Sequence, residues 1–561
     1  MERRALIALA LSFVVFVVFI YFGEKMKLRP VAPAPQVQTK PQPAPPAPPP
    51  VAAKPAPPPP TPVAPEKTGP AKDIVVDTPL YKAVFTEQGA RLKSFLLKKY
   101  KGQMPFEPIY HFELGPVGFE LERYLSPQQA KIGPKQLVRP GDHELPLAVS
   151  WESKNLKVGA LGLCQASASG LTLKDGQKGA LKFSCVSSEG LTFVKTFTFK
   201  ADSYGFDLAV AVTNHTKQSQ DGQLNLDLSE NYAGEEASRF HFLGFNGCIN
   251  NKTEDIQSGK LKEPKTFTGK VEWAGLDEGY FLTAMVPESA KAWVTLYEPP
   301  KAPMVASLRT PVEALAPGQT AQSSYQLYFG PKNLDDLKPL GLDRAVNFGW
   351  FDFLGKPLLT FLNWLNRFTG NYGWAIVVLT ILLRIVFWWP NHKSYKSMKD
   401  MQKLQPKVAK IREKYKDDKE AMNKELMALY RTFKVNPMAG CLPMVLQLPV
   451  FIALYNVLGY AIELRHAPFI STLPGTHIVW LADLSAKDPL LITPLVMGAT
   501  MFIQQKMTPS AGDPTQAKMM MFLPLIFTFM FLNFASGLVV YWLVNNILSI
   551  GQQYYTNKYL T

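Results

Sequence analysis

Hydrophobic and polar residues follow three different rhythms along this chain. The first is a single block: Ala5 to Phe22 is apolar throughout except for Ser12, and it follows Arg3 and Arg4. At helical rise these eighteen residues extend about 27 Å, close to a bilayer core. The block reads as a membrane anchor with its basic end in the cytoplasm. The competing reading, a cleaved signal peptide, has a shorter apolar region and a small-residue cleavage site.

The second rhythm is alternation. From Asp73 to about Leu340 no segment is long and apolar enough to span a membrane, and period-two patterns recur between turn residues. Leu191–Phe199, Phe206–Thr213 and Ser324–Phe329 each predict a strand. Short strands separated by Gly, Asn and Asp turns point to a large β-sandwich.

The third rhythm is helical. Between Gly349 and Phe368, Leu354, Leu358, Phe361, Leu362, Leu365 and Phe368 recur at helical spacing, with Asp352, Lys356, Asn363, Asn366 and Arg367 between them. With Trp350 and Trp364 this predicts an amphipathic helix lying in the headgroup plane. Asn371–Pro390 predicts a span with one charge, Arg384, and Leu442–Ile462 a span with none. Pro489–Gln505 is a shorter span bracketed by Asp488 and Lys506. Met519–Tyr555 holds no charge for 37 positions, enough for two spans turning at Asn533–Gly537. With the first anchor the expected count is six.

Charge then sets the topology. Residues 391–440 carry 13 Lys/Arg against 6 Asp/Glu, which places that loop in the cytoplasm. Both termini then lie in the cytoplasm and residues 30–340 in the periplasm. Were 349–368 also a span, the basic loop would face outward, so the interfacial reading is preferred. Within the loop, Leu404, Val408, Ile411 and Tyr415 form one helical stripe and Met422, Leu426, Leu429 and Phe433 another, on either side of Asp417-Asp418. Two such stripes predict an antiparallel helical hairpin, either a brace or a landing surface for an acidic or RNA-bearing partner.

Composition adds two points. The mean hydropathy of −0.03 averages these apolar blocks with a tract in which residues 30–70 hold 18 of the 48 prolines. That tract reads as a semi-rigid tether. The expected organisation is an anchor (1–29), a Pro-rich linker (30–70), a periplasmic β-sandwich domain (71–340), an interfacial helix (341–370) and a membrane core (371–561) containing the cytoplasmic hairpin (391–440).

The chain carries few marks of covalent chemistry. There is no HExxH, GxSxG, CxxC or Gly-rich phosphate loop, and His215 and His241 lack ligand-like spacing. Cys164, Cys185 and Cys248 fall in the β-rich region, so at most one pair can form among them; Cys164–Cys185 is one candidate. No metal, cofactor or nucleotide site is expected.

Arg384 is the residue that carries the functional argument. It sits six positions before Pro390, and a mid-bilayer arginine costs about 2.5–3.5 kcal/mol on insertion scales. No acid occurs in the other spans to pair with it, which favours a hydrated, positively charged recess open to the cytoplasm over snorkelling alone. Thr380, Gln447, Tyr541, Trp542, Asn545 and Asn546 are candidate lining groups, with interhelical packing as the plainer reading of each. Met497, Met501, Met507 and the run Met519–Met521 suit an adaptable apolar surface.

At these residues the sequence resembles the YidC/Oxa/Alb family of membrane insertases. The resemblance rests on Leu379–Arg384, Gln405-Pro406 through Ile411 to Tyr415, Asn436–Pro449, Phe451–Tyr455 and Gly537–Trp542. Val271–Gly275, Tyr280–Leu282 and Leu327–Lys332 extend it into the outer domain, so it covers effectively the whole chain. Trp542 departs from the second aromatic, often tyrosine, found in relatives. The resemblance implies a five-helix insertase core around a cytoplasm-facing groove, a β-supersandwich outside, and insertion, folding and assembly of inner-membrane proteins without covalent chemistry. It implies nascent inner-membrane proteins as clients, the Sec translocon and the ribosome as partners, Arg384 as the groove's charge, and Thr380 and Tyr541 as client-contacting positions. A small-solute transporter would call for paired intramembrane charges and internal repeats, and an intramembrane protease for paired acids or a Ser/His pair; the spans supply neither.

Overall fold

The structure, a computed structural model, describes residues 70–102, 106–114, 117–124, 132–139, 144–232, 242–299, 302–433, 435, 442–507 and 514–559. The expected anchor and all but the last residue of the Pro-rich linker lie outside the described residues. Residues 397–437 and 509–521 group as one compact unit, while 62–396, 438–508 and 522–561 form another.

The β-rich region is built from three main sheets. The largest has nine strands, in the order Lys252–Gln257, Leu243–Ile249, Val271–Glu278, Phe281–Pro287, Thr320–Pro331, Gly205–Asn214, Leu191–Lys200, Lys178–Val186 and Gln165–Ala166. Its centre is where alternation is cleanest. Leu191, Phe193, Lys195, Phe197 and Phe199 are buried while the residues between them are half-buried. One face of this sheet meets both smaller sheets. Tyr325 and Phe329 lie four apart on one strand and so on the same face. The Tyr325 hydroxyl is 3.0 Å from Thr310 Oγ1 in the six-stranded sheet, while the Phe329 ring packs 5.3 Å from Phe95 in the five-stranded sheet, tilted by 36°. Cys164 and Cys185 form a disulfide and Cys248 is free and buried.

Lys195 is a titratable group in the middle of this core, with no exposure. It donates to the carbonyls of Ala90 and Leu147, each at 2.6 Å, and of Gly89 at 3.3 Å. Ala90 and Leu147 both have left-handed backbone conformations, with φ of 49° and 66°. The ammonium therefore fastens two strained turns to the nine-stranded sheet, and burial pulls its pKa down to about 7.

Among the described residues eight longer helices follow: α1 (Asp352–Thr369), α2 (Tyr372–Val386), α3 (Trp388–Lys414), α4 (Lys419–Thr432), α5 (Leu442–Tyr460), α6 (Ile492–Met507), α7 (Pro514–Phe531) and α8 (Ser536–Tyr559). Among the described residues no single helix is both long and apolar enough to cross a membrane; residues 349–369 and 372–386 reach that measure only together, bent by 119°. The bend follows from Gly370, which caps α1 in the left-handed region at φ 64°, and from Asn371, whose side chain accepts from Trp374 N to start α2. Helix α1 buries Gly355, Leu359, Leu362 and Leu365 and leaves Phe353, Trp364 and Phe368 outward.

The α2 boundary differs from the sequence expectation. The helix ends at Val386, so Arg384 lies in its last turn and not six residues from the end. Pro390 does not terminate anything: it is the third residue of α3, where a missing N–H costs no helical hydrogen bond. The four-residue carbonyl pattern even runs across the break, with Phe387 N donating to Leu383 O and Asn391 N to Phe387 O.

Helices α3 and α4 carry the residues expected in the hairpin. Leu404, Val408 and Leu426 are buried, Gln405, Ile411 and Tyr415 half-buried, and Pro406 exposed. Asp418 caps α4 by accepting from Glu420 N and Ala421 N. Lys407 Nζ lies 4.0 Å over the Phe433 ring, so the arms meet well away from the turn. Helices α6 and α7 approach closely at Gly498, where a Cβ would fall 2.0 Å from Thr528 Oγ1. The turn between α7 and α8 falls at residues 532–535, within two residues of the expected break at 533–537.

Candidate functional site

Helices α2, α5 and α8 enclose one recess. Its walls are Thr380, Leu383, Arg384 and Phe387 from α2 and its end, Gln447 and Val450 from α5, and Tyr541 and Asn545 from α8. Each helix places its pair by periodicity: Thr380 and Arg384, and Tyr541 and Asn545, are one turn apart on the same face. The recess holds about 250 Å³ of non-atom space with its mouth included. Apolar Leu383, Phe387 and Val450 line it beside the polar groups, so it is a small mixed recess and not a broad aqueous groove.

Arg384 is buried, at 7% exposure. Its Nη2 donates to the Tyr395 hydroxyl at 3.2 Å, and its Nε is buried without a hydrogen-bond partner. Among the described residues no carboxylate pairs with it. The guanidinium thus keeps its charge unneutralised and most of its donors unspent. In the same recess, Gln447 Nε2 donates to Tyr541 Oη at 3.3 Å and to Asn545 Oδ1 at 3.2 Å. Thr380 is buried and donates to its own helix at Ile376 O, 2.6 Å away, which leaves its oxygen lone pairs as the group it presents.

Five of the seven residues singled out for a groove, Thr380, Arg384, Gln447, Tyr541 and Asn545, therefore share one recess. Trp542 does not. Adjacent residues on a helix point about 100° apart, so with Tyr541 facing the recess Trp542 faces elsewhere. It packs at 4.7 Å from the Phe451 ring, 5.2 Å from Phe531 and 6.1 Å from Phe527. Asn546 also turns away, donating to Thr500 Oγ1 on α6 at 3.4 Å.

Sequence reasoning missed Tyr395. The available signal was its spacing of eleven residues from Arg384, three helical turns, which was masked by taking Pro390 as a helix end. The first turns of α3 are held against α8 by two further bonds. Gln552 Nε2 donates to Trp388 O at 3.0 Å, and His392 Nδ1 lies 3.5 Å from Thr556 Oγ1. These belong to a buried polar stripe on α8: Asn546, Ser549, Gln552, Gln553 and Thr556.

Comparison with known proteins adds the family context. Residues 364–561 match the family described as 60Kd inner membrane protein, and residues 117–361 the family described as YidC periplasmic domain. A protein of Oleidesulfovibrio alaskensis named membrane protein insertase YidC is 42% identical over 563 residues, covering 99% of each chain. Its namesake in Citrifermentans bemidjiense is 42% identical over 493 residues, covering 87% of this chain and 86% of its own. Among solved structures, an active YidC insertase with its first transmembrane domain resolved aligns over 87% of this chain and 93% of its own, at 19% identity and a TM-score of 0.35.

Proposed function

The chain belongs to the YidC family of membrane protein insertases, and from that premise we propose how its residues carry out insertion. It is an inner-membrane insertase with a periplasmic domain, and its clients are nascent membrane proteins; no covalent step is involved. In our reading the recess among α2, α5 and α8 opens to the cytoplasm and receives the polar tail of a client. A polar tail crossing bare hydrocarbon costs several kcal/mol per unsatisfied group. The recess lowers that barrier with the Arg384 charge and the amides and hydroxyls of Gln447, Asn545, Tyr541 and Thr380. The client's apolar helix then leaves along the outward faces of α6 and α7, where Leu495, Val496, Phe502, Phe522, Leu525 and Ile526 are exposed.

The observation that carries this reading is an unpaired guanidinium surrounded by polar side chains from three helices. Acidic groups in the tail gain most from it, since a carboxylate can take the donors that Arg384 leaves unused. Because Gln447 and Asn545 are bonded across the recess, entry of a tail parts the helices there.

The topology we propose has six spans: residues 5–22, α2, α5, α6, α7 and α8, with both termini and the 391–440 hairpin in the cytoplasm and residues 30–340 in the periplasm. The density of Lys and Arg in 391–440 supports this orientation. The 119° bend and the outward Phe353, Trp364 and Phe368 support an interfacial α1. The two smaller sheets sharing one face of the nine-stranded sheet support a supersandwich for the outer domain. Gln405, Pro406, Ile411 and Tyr415 are proposed as the hairpin's contact surface for the ribosome, and the Sec translocon as a second partner. Depletion followed by quantitative proteomics of the inner membrane tests the reading: wild type should restore the lost proteins, while Arg384→Ala should leave acidic-tailed ones depleted.

A further inference from the structure

We propose that Tyr395 is the positioning residue for the Arg384 guanidinium, a neutral acceptor that fixes its plane in the recess without cancelling its charge. The inference rests on the reading of Arg384 given above.

Three observations carry it. The Arg384 Nη2 to Tyr395 Oη bond, at 3.2 Å, is the guanidinium's hydrogen bond to a side chain, and Nε beside it has no partner. The acceptor is itself immobilised. Eleven residues separate the two positions, three helical turns, and the carbonyl pattern continues across Phe387, so α2 and α3 hold them on one face. From the other side, Gln552 on Trp388 O and His392 beside Thr556 tie the start of α3 to α8, the helix that supplies Tyr541 and Asn545. A phenol held in this way is a fixed reference point.

The chemistry of the acceptor also matters. A carboxylate at position 395 would orient the guanidinium more strongly, but it would pair with it and occupy the donors a client needs. A phenol oxygen takes a single N–H and leaves the net charge at +1. An arginine without such an acceptor would keep more of the rotamer freedom of its long side chain. Tyrosine orients and leaves the charge available.

The test uses full-length protein in proteoliposomes and two clients that differ only in whether the tail carries Asp and Glu or Asn and Gln. Tyr395→Phe keeps the ring and removes the acceptor; it should slow insertion of the acidic-tailed client about threefold or more and leave the neutral-tailed client unchanged. Tyr395→Glu should slow the acidic-tailed client as much as Arg384→Ala does. In an Arg384→Ala background, Tyr395→Phe should add nothing. Equal slowing of both clients by Tyr395→Phe would show a merely structural residue and overturn the inference, as would a full effect persisting in the Arg384→Ala background. Loss with Arg384→Ala but none with Tyr395→Phe would overturn the inference alone. No loss with Arg384→Ala would overturn the Arg384 reading and the inference with it.

Discussion

Gln447 on α5 donates its side-chain amide to the Asn545 carbonyl oxygen on α8 at 3.2 Å, in the recess that Arg384 also lines. The same nitrogen reaches Tyr541 Oη, so one amide closes the wall that a client tail has to part. Such a bond should be strong enough to order the helices and weak enough to open, about 0.5–1.5 kcal/mol net. Gln447→Glu is the informative change. It brings a carboxylate into the recess that holds the Arg384 guanidinium, so thermal stability in detergent should rise while insertion of acidic-tailed clients falls. Unchanged insertion with Gln447→Glu would remove the recess from the mechanism.

Trp542 should behave differently from its neighbour Tyr541. Its ring packs among Phe451, Phe527 and Phe531, away from the recess. Trp542→Ala should cost about 3–5 kcal/mol of packing and impair all clients in parallel with the loss of folded protein. Tyr541→Phe, by contrast, removes only the hydroxyl that accepts from Gln447, and its effect should depend on the client. Thermal unfolding measured beside insertion of matched clients separates the two.

This contrast also shows what the sequence made legible. Helical spacing paired Thr380 with Arg384 and Tyr541 with Asn545, because residues one turn apart share a face whatever the partner helix is. It could not choose between Tyr541 and Trp542, since both are large amphipathic rings and only packing decides which one turns inward. Tyr395 was hidden for a different reason. Pro390 reads as a terminator, yet in the first turn of α3 it meets no helical acceptor and the chain continues. In the outer domain, alternation identified Leu191–Lys200 as a strand with a buried face. Which sheet covers that face is set by contacts far apart in sequence, such as Tyr325 with Thr310 and Phe329 with Phe95, on which alternation is silent.

The Cys164–Cys185 disulfide closes a loop with a sequence separation of 21. On the chain-entropy account a loop of that length is worth about 3 kcal/mol. Replacing both cysteines with serine should lower the unfolding temperature of the outer domain, and non-reducing mass mapping should recover the 164–185 cross-link with Cys248 as a free thiol.

Lys195 gives the outer domain a pH dependence of known sign. Its pKa falls from 10.5 in the unfolded chain to about 7 in the fold, because burial, and then the Arg91 charge, disfavour the ammonium. Between those values the unfolded chain binds the additional proton, so lowering the pH from about 10 to about 7 favours unfolding. Below about 7 both states hold the proton and this contribution to the slope vanishes. Unfolding temperatures from pH 7 to pH 9.5 should climb in wild type and lose most of that climb in Lys195→Met.

The account depends above all on an arginine left charged and unpaired for the carboxylates of incoming chains. The most direct measurement is the initial insertion rate of one client whose tail carries zero, one, two or three acidic residues, using wild type and Arg384→Gln in proteoliposomes of the same lipid. The rate should rise with each added carboxylate in wild type relative to Arg384→Gln, and the difference should grow with their number. Parallel lines for the two proteins would contradict the account.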